Sequence, residues 1–420
     1  MPLGLYLSVP FCRTKCSFCN FASGVFSRPL FDRYVKHIER ELARAGQVAR
    51  EMGGIFERDV DSVYLGGGTP SVLAPDQLTT LFRSLRANFT LLPGSEITVE
   101  VAPGTLSPEI LEVLVDCGVN RVSLGMQSFV DQETRSVGRL HTRDITLADI
   151  ASLRMAGITE ISLDLIAGLP HQTVESWDYS LAETIATGVP HVSVYMLEVD
   201  EDSRLGRELI AGGTRYHAHH VPDDDLVADF YLQACETLNA AGLHQYEISN
   251  FARDLSALKG HGFSRAGKTP TEPAASAAEV LPSHASRHNL KYWLRNPYFG
   301  FGVDAHSMLC VPRLNQSHAA VRFATTDNLD ALLAGAPLTR TDVDESSALE
   351  EAFFLGLRLN RGINLDSIAN DFGSALLTRY GEPIAELTAS GLLLTESNWL
   401  RLTDRGRLLS NEVFSRFLAD

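Results

Sequence analysis

The feature that most constrains the fold is the alternation of strand-like and helix-like segments over the first 200 residues. Short apolar runs predict buried strands, and the amphipathic runs between them predict helices. Gly118, Gly157 and Gly188 follow three of these helices, where a left-handed C-cap is expected. The predicted strands are 3–9, 61–65, 96–101, 121–124, 158–166 and 191–197, and the predicted helices are 31–47, 75–87, 107–116, 145–155 and 174–186. This order predicts an α/β fold with a parallel sheet, open or curled into a partial barrel, that binds ligands at the carboxyl ends of its strands.

The rest of the chain is less regular. Residues 223–241 predict a helix and 246–251 a strand or strand end, whereas 254–286 are rich in Ala, Ser, Pro, Gly and Thr and predict a mobile insertion. Helical patterns at 345–359, 365–371 and 375–390, a hairpin at 391–403 and a last helix at 404–418 predict a small winged-helix-like domain. The predicted domain ranges are 1–252, 253–287, 288–341 and 342–420.

The charge balance argues against nucleic acid as a partner. The chain has 36 basic and 52 acidic residues, a formal net charge of −16. Binding to a phosphate backbone draws most of its affinity from basic charge, as does adhesion to an anionic membrane. The sequence also has no apolar run long enough to span a bilayer and no basic leader, so we expect a cytoplasmic protein. Peripheral membrane contact stays open.

Three cysteines near the N-terminus predict a metal centre. Cys12, Cys16 and Cys19 lie on one short loop that leaves the first predicted strand. Three thiolates at these spacings can hold three corners of a cubane [4Fe–4S] cluster and leave the fourth iron open. The amine and carboxylate of S-adenosylmethionine (SAM) can chelate such an open iron, and electron transfer into the sulfonium then cleaves an S–C bond.

Two other interpretations of these cysteines are weaker. A structural zinc ion usually takes four protein ligands, and no second Cys or His pair follows at suitable spacing. A disulfide would leave one thiol of the three unused. Cys117, Cys235 and Cys310 lie singly in apolar surroundings, and we expect them in the core.

Polar and glycine residues at the predicted strand ends suit a ligand beside the cluster. Gly66, Gly67 and Gly68 allow backbone N–H groups to approach the amino-acid part of SAM, and Thr69 follows them. Buried polar side chains at strand ends need partners, which a ligand can supply, although a structural hydrogen bond is the alternative for each. These side chains are Glu100, Gln127 and Asp164, with Arg139 as a fork for the SAM carboxylate.

Together these motifs resemble the HemN/HemW branch of the radical SAM proteins over nearly the whole chain. The matching runs are 6–19, 66–71, 125–129, 164–170, 246–251, 288–293 and 298–307. The resemblance implies a partial (βα)6 barrel followed by a small helical domain. It implies cluster ligation by Cys12, Cys16 and Cys19, and SAM contacts at Tyr6, Phe18, Gly67, Gly68, Thr69, Glu100, Gln127, Arg139 and Asp164.

Two functions compete within that branch. The oxygen-independent coproporphyrinogen III oxidases decarboxylate two propionate side chains, whereas the HemW-type proteins bind heme and pass it to acceptor proteins. The oxidases carry a further cysteine two positions after the third cluster cysteine, and Phe21 stands there in this chain. They also carry an N-terminal extension, whereas only five residues precede Tyr6 here. Both features favour the chaperone, and a radical SAM enzyme with another substrate is a third alternative.

The resemblance also implies a heme contact. Residues 288–293 match the HNxxYW signature of the chaperone type, which assigns the heme contact to His288. Imidazole is a good axial ligand for heme iron, and Tyr292 and Trp293 offer flat surfaces to a porphyrin. A structural histidine beside core aromatics is the alternative.

Two features depart from the family pattern. More than thirty residues separate the strand end at 250–252 from His288, and this insertion contributes His261 and His284 as competing ligands. Asp304 replaces a family glycine, so a turn that needs positive φ there would be strained or reshaped, with consequences for His306. We expect a [4Fe–4S] cluster, SAM and heme as cofactors, with heme-acceptor proteins and an electron donor as partners. A homodimer stays open.

Overall fold

The computed structural model describes residues 1–254, 281–312 and 319–418. Its strands are β1 (Leu3–Val9), β2 (Asp59–Gly67), β3 (Thr90–Val101), β4 (Arg121–Gln127), β5 (Glu160–Ala167), β6 (His191–Met196), β7 (His244–Gln245), β8 (Asn250–Ala252), β9 (Tyr298–Phe301), β10 (His306–Cys310), β11 (Ala320–Ala324), β12 (Thr339–Val343), β13 (Ile363–Asn364), β14 (Leu393–Glu396) and β15 (Trp399–Leu402).

The α-helices in the same part of the chain range from five to 24 residues. They are α1 (Arg28–Glu51), α2 (Pro75–Asn88), α3 (Pro108–Asp116), α4 (Asp131–Ser136), α5 (Arg143–Met155), α6 (Val174–Thr187), α7 (Arg204–Ile210), α8 (Asp224–Ala240), α9 (Arg287–Trp293), α10 (Leu329–Leu333), α11 (Glu345–Gly356), α12 (Leu365–Phe372), α13 (Ser374–Thr378), α14 (Gly381–Ala389), α15 (Asp404–Leu408) and α16 (Ser410–Ser415).

Twelve of the described strands form one sheet in the order β12-β11-β10-β9-β1-β2-β3-β4-β5-β6-β8-β7. Strands β1 to β6 are parallel neighbours in chain order, and β9 is parallel to the free side of β1. Strands β7, β8 and β10 to β12 extend the two edges with antiparallel pairs. The predicted α/β class and the partial radical SAM-type barrel are confirmed.

The helices and strands were predicted best where they are long. All six predicted barrel strands and their five helices are present, and Gly118, Gly157 and Gly188 have the positive φ expected of C-caps. The strand or strand end predicted for 246–251 is present only at its last two residues, where β8 begins; before it, the Tyr246 N–H bonds the Asn250 carbonyl and closes a turn between β7 and β8. The proposed mobile insertion lies mostly outside the described residues.

The last 80 residues have the predicted winged-helix order, with differences at two helices. The helix predicted for 375–390 divides into α13 and α14, and Tyr380 between them turns its ring onto Phe353 and Phe417, with ring centroids 4.7 and 5.7 Å away. The last helix divides at Leu409. Strand β13 adds a third strand to the hairpin of β14 and β15. The apolar core here continues into Ile248, Tyr298 and Met308 of the barrel, so the two parts pack as one body.

In the part of the chain that the structure describes, no helix has the length and apolar composition needed to cross a bilayer.

Candidate cluster and cofactor site

The cysteine loop is closed at its base directly after β1. The Cys12 N–H donates to the Gly24 carbonyl and the Gly24 N–H donates to the Pro10 carbonyl, each at 2.8 Å. Inside the loop, the Lys15 ammonium donates to the carbonyls of Phe21 at 3.1 Å and Ser23 at 3.0 Å. The backbone of the loop and the Lys15 side chain therefore hold it in shape.

Neighbouring segments fix the loop to the carboxyl end of the barrel. The Ser17 N–H donates to the Val137 carbonyl beyond α4 at 3.0 Å, and the Leu205 N–H of α7 donates to the Ser17 carbonyl at 2.8 Å. The Arg13 guanidinium donates to the Gly104 carbonyl after β3 at 3.1 Å. The cysteine loop thus lies where ligands of parallel α/β folds collect.

The three thiols have few polar partners. Cys16 is buried, and Cys12 and Cys19 are half-buried. The Thr69 hydroxyl donates to the Cys12 sulfur at 3.7 Å, and the Ser23 hydroxyl lies 3.7 Å from the Cys19 sulfur. Burial raises the pKa of the Cys12 and Cys16 thiols, so metal binding here would have to displace protons.

Among residues 1–254, 281–312 and 319–418, no group of three or more His, Cys, Asp or Glu side chains is placed to hold one metal ion. In a cubane cluster each cysteine binds a different iron atom, so this finding does not bear on the predicted cluster.

The glycine run after β2 packs against the cysteine loop. A Cβ atom on Gly68 would lie 2.7 Å from the Val9 carbonyl oxygen and 2.8 Å from that of Phe11. The N–H groups of Gly67, Gly68 and Thr69 already donate to the Glu100 carboxylate and to those two carbonyls. These N–H groups are therefore used by the protein itself, and a contact between the glycine run and SAM stays a prediction that would involve other atoms of Gly67, Gly68 and Thr69.

Glu100 joins this run to the inside of the barrel. Its carboxylate accepts hydrogen bonds from the Tyr64 hydroxyl at 2.8 Å and from the Gly67 N–H at 3.1 Å. Burial raises its pKa to about 7, so the carboxyl is poised between its neutral and charged forms near neutral pH. Tyr6 on β1 stacks on Tyr64 with ring centroids 6.1 Å apart, and burial raises its pKa.

Gln127 and Arg139 present polar groups to the same region. Gln127 ends β4 at an irregularity in its pairing with β5, is buried, and has a φ of 72°, which is strained for a residue other than glycine. Asp164 on β5 accepts a hydrogen bond from the Ser123 hydroxyl, whose oxygen lies 3.0 Å from each of the two carboxylate oxygens. Burial raises the pKa of Cys16, Glu100 and Asp164, and the positive charge of Arg139 opposes that rise at all three.

Buried polar atoms without partners indicate that this site is built for ligands. Four such atoms are Ser17 Oγ, Gln127 Oε1, Arg139 Nε and Arg204 Nε. A buried polar group without a hydrogen bond is costly, so a cluster of them is expected where a ligand completes the bonding. A free guanidinium N–H suits the SAM carboxylate and a free amide oxygen suits an amine, so the residues present fit SAM. Phe18 adds an apolar contact with Val137, Ile166 and Leu169.

His288 lies at the opposite end of the barrel. It begins α9, which packs against the amino-terminal halves of β1 and β2, where its ring lies beside Gly4. The ring is 1% exposed, and its nitrogens bond the Ser62 hydroxyl at 3.0 Å and the Tyr292 hydroxyl at 2.9 Å. Burial lowers its pKa to about 3, so the imidazole is neutral. Both ring nitrogens are occupied in this arrangement, as in the structural alternative, and the heme contact assigned to His288 stays a prediction.

The other histidines and Asp304 also differ from simple expectation. His284 bonds the Glu160 carboxylate at 2.9 Å, and His261 lies outside the described residues. Asp304 keeps the left-handed conformation with a φ of 53°, which aspartate tolerates better than most residues. His306 is exposed, and its Nε2 lies 3.8 Å from the Asp304 carboxylate, too far for a strong ion pair.

Two residues of the site were missed from the sequence. Tyr64 stacks between Tyr6 and His288 and bonds Glu100. It lies two residues after the inward-facing Ser62 and two before Gly66, so the period-two alternation of a strand could have predicted that it also faces inward. Arg204 donates a hydrogen bond to the Lys15 carbonyl. Its positive charge lowers the pKa of Cys16, although burial raises that pKa by more. It comes from α7, and no local pattern links it to the cysteines.

The chain matches two family models and several named relatives. Residues 6–183 match the Radical SAM superfamily and residues 343–409 match the HemN C-terminal domain. Proteins named heme chaperone HemW are similar over almost their whole length. The Lactococcus lactis protein is 30% identical with 100% of this chain and 98% of that protein covered, and the Bacillus subtilis protein is 31% identical with 99% of both covered.

A solved structure agrees with the fold. The coproporphyrinogen III oxidase HemN from Escherichia coli, described as a radical SAM enzyme, superimposes with a TM-score of 0.76. It covers 99% of this chain and 90% of its own, at 22% identity. At this identity the match establishes the architecture alone.

Proposed function

Because this chain belongs to the HemW family of radical SAM proteins, we propose that it is a heme chaperone, which binds heme and delivers it to acceptor proteins. The observation that carries the proposal is the similarity to proteins named heme chaperone HemW along both the barrel and the C-terminal domain. Phe21, 59% exposed in the cysteine loop, cannot supply the additional thiol of the oxidases.

The radical SAM family implies a [4Fe–4S] cluster and SAM. We assign the cluster to Cys12, Cys16 and Cys19, which the closed loop presents at the carboxyl end of β1. When bound, the cluster would supply an electron to the SAM sulfonium. Arg139 would hold the SAM carboxylate, and the acceptor oxygen of Gln127 would hold a donor group of the ligand. The remaining contacts are assigned to Tyr6, Phe18, Gly67, Gly68, Thr69, Glu100 and Asp164.

Heme contact through His288 requires a conformational change in this proposal. The imidazole must exchange its bonds to Ser62 and Tyr292 for iron, which requires the ring to leave its buried position. The neutral imidazole is the form that ligates iron. The proposal places the protein in the cytoplasm, where its free thiols stay reduced, with an electron donor and the acceptors as partners.

Two parallel assays on anaerobically reconstituted protein test this function. Heme titration followed by the Soret band is expected to saturate at one heme per chain. Incubation with coproporphyrinogen III, SAM and a reductant is expected to give no catalytic turnover. Protoporphyrinogen IX formed over many turnovers would contradict the chaperone function and favour the oxidase.

The cluster assignment has its own test. Cys16→Ala is expected to lose most of its iron and sulfide, because one corner of the cube would have no ligand. Cys117→Ala is the matched control, since Cys117 is a buried thiol after α3. Near-normal iron and sulfide in Cys16→Ala, or zinc in the wild-type protein, would refute the assignment.

A further inference from the structure

A second group of unpartnered polar atoms lies between the barrel and the C-terminal domain. In the part of the chain that the structure describes, its members are buried atoms with no hydrogen bond: Asn250 Oδ1, Trp293 Nε1, Arg358 Nε, Asn360 Oδ1 and Arg361 Nε. Three of these five atoms are N–H donors. A concentration of unbonded donors at one junction indicates a ligand with acceptor groups, as at the cluster site.

The loop that carries the two arginines is fixed by its backbone. It connects α11 to β13 and lies along the turn between β7 and β8. The Ile248 N–H donates to the Arg358 carbonyl at 3.1 Å, and the Asn360 N–H donates to the Tyr246 carbonyl at 3.0 Å. The Asn360 side chain donates to the Gln245 carbonyl at 2.9 Å. The main chain and Asn360 therefore anchor the loop, and neither guanidinium is needed for that attachment.

Neither arginine makes an ion pair within 4 Å among the described residues, although Glu247 and Glu198 lie within electrostatic reach of Arg358. Arg358 stacks its guanidinium over Trp293, 4.4 Å from the ring centroid, and makes no ion pair within 4 Å. Burial lowers its pKa, and the carboxylates of Glu247 and Glu198 only partly oppose this. Burial alone lowers the pKa of Arg361. Two half-buried, unpaired cations on one loop are unfavourable without an anion.

The junction joins β6 to α9. The Val194 N–H on β6 donates to the Ser249 carbonyl at 2.8 Å, so the turn that follows Glu247 lies beside β6, and the loop of Arg358 and Arg361 packs on that turn. On its other side the junction meets Trp293, the last residue of α9, and α9 is the helix that carries His288.

We infer that Arg358, Arg361 and the indole N–H of Trp293 bind the carboxylate groups of the heme, its two propionates. Guanidinium groups bind carboxylates through paired N–H donors, and the ring of Trp293 offers a flat apolar face to a macrocycle. This inference rests on the proposed heme binding and adds to it the residues that recognise the acidic edge of the ligand.

Comparing heme with its dimethyl ester tests the inference. The ester keeps the iron and the macrocycle but carries no negative charge. Wild-type protein is expected to bind heme at least about tenfold more tightly than the ester. Arg358→Met and Arg361→Met are each expected to weaken heme binding about tenfold and leave ester binding unchanged, so that the double variant no longer distinguishes the two. Arg405→Met, which removes an exposed arginine of the same domain, is the matched control.

The outcomes separate the inference from the proposed function. If the wild-type protein binds neither heme nor the ester, both the function and the inference are refuted. If heme binds and the variants still prefer it over the ester, only the inference is refuted. Thermal unfolding of the heme-free variants adds a second measurement. Unchanged or higher unfolding midpoints are expected because an unpaired buried charge is removed, and lower midpoints with retained discrimination would assign both arginines to structure alone.

Discussion

Arg139 is the cation on which the candidate SAM site depends. Its charge opposes the effect of burial on the pKa of Cys16, Glu100 and Asp164, so it lies within electrostatic reach of all three. Its buried Nε atom has no partner. A positive group surrounded by acids and thiols, with an unused donor, is suited to hold the carboxylate of a zwitterionic ligand.

We therefore expect Arg139→Met to weaken SAM binding by roughly 30-fold to 100-fold, the loss typical of a hydrogen-bonded charge pair. Equilibrium dialysis of anaerobically reconstituted protein against labelled SAM measures this. Arg135→Met is the matched control, because Arg135 lies one helical turn earlier and its side chain is 68% exposed. Equal SAM affinity in the Arg139 variant and the control would remove Arg139 from the site.

His288 gives a second prediction for a single residue. His288→Ala is expected to lower the unfolding midpoint of the heme-free protein, because it leaves the hydroxyls of Ser62 and Tyr292 unpaired and creates a cavity. The cost should be about 2–4 kcal/mol. His244→Ala, which removes an exposed histidine of β7, should have little effect. An unchanged midpoint in His288→Ala would show that the ring is not part of the structural framework and would favour a ligand role alone.

At the scale of secondary-structure elements, the glycine run after β2 packs closely against the cysteine loop. We expect Gly68→Ala to reduce the iron and sulfide content by at least about half, because its methyl group would meet two backbone carbonyls that cannot rotate away. Gly381→Ala is the control, since nothing lies within 4 Å of a Cβ atom at Gly381. Full cluster content in Gly68→Ala would mean that the loop position is not set by this contact.

The barrel elements could be predicted because their signals are local. A buried parallel strand such as β1 is a continuous apolar run, and a helix such as α6 carries its own caps at Thr173 and Gly188. Short helices such as α4, α7 and α9 were missed, because six or seven residues give too little periodicity to separate a helix from a loop. Their existence depends on tertiary contacts instead.

The candidate site was predicted to a similar degree and for the same reason. Cysteine spacing is visible in the sequence, and so are polar residues at strand ends. The close packing of Gly68 could not be predicted, because its neighbours Val9 and Phe11 lie at and just after the end of β1, more than fifty residues earlier. The burial of His288 follows from the packing of α9 on β2, which no local pattern encodes.

At the scale of the whole molecule, both ends of the barrel hold buried polar groups. At the amino-terminal end, Glu96 accepts the first N–H groups of α9 and lies 3.8 Å from Arg121, and Lys291 pairs with Asp61 at 2.7 Å. One Arg121 nitrogen there has no hydrogen bond, and neither do Gln127 Oε1 and Arg139 Nε at the carboxyl end. Polar bonding alone therefore does not separate the two ends, and our proposal places the cofactors at the carboxyl end because the cysteine loop follows β1 there.

The junction of the barrel and the C-terminal domain predicts how the stability of the whole chain depends on pH. Glu247 is 1% exposed, and burial raises its pKa from 4.5 to about 7, against the opposing charge of Arg358. Between pH 4.5 and 7 the unfolded chain has released this proton while the folded chain still holds it. Stability from this group is therefore fully present below pH 4.5 and is lost as the pH rises towards 7, by about 3 kcal/mol in total.

Glu247→Gln should remove this loss, because the amide does not titrate. We expect its unfolding midpoint to rise relative to the wild-type protein by roughly 3 °C between pH 5 and pH 8, measured at one scan rate with the heme-free protein. Glu345→Gln is the matched control. The carboxyl group of Glu345 lies in the first turn of α11 in the same junction region, and Glu345 is half-buried. Because the Ile248 N–H beside Glu247 bonds the Arg358 carbonyl, ionisation of Glu247 acts directly on the contact that joins barrel and C-terminal domain. A constant difference between the two proteins across this pH range would mean that Glu247 titrates as an ordinary carboxyl group and does not control the junction.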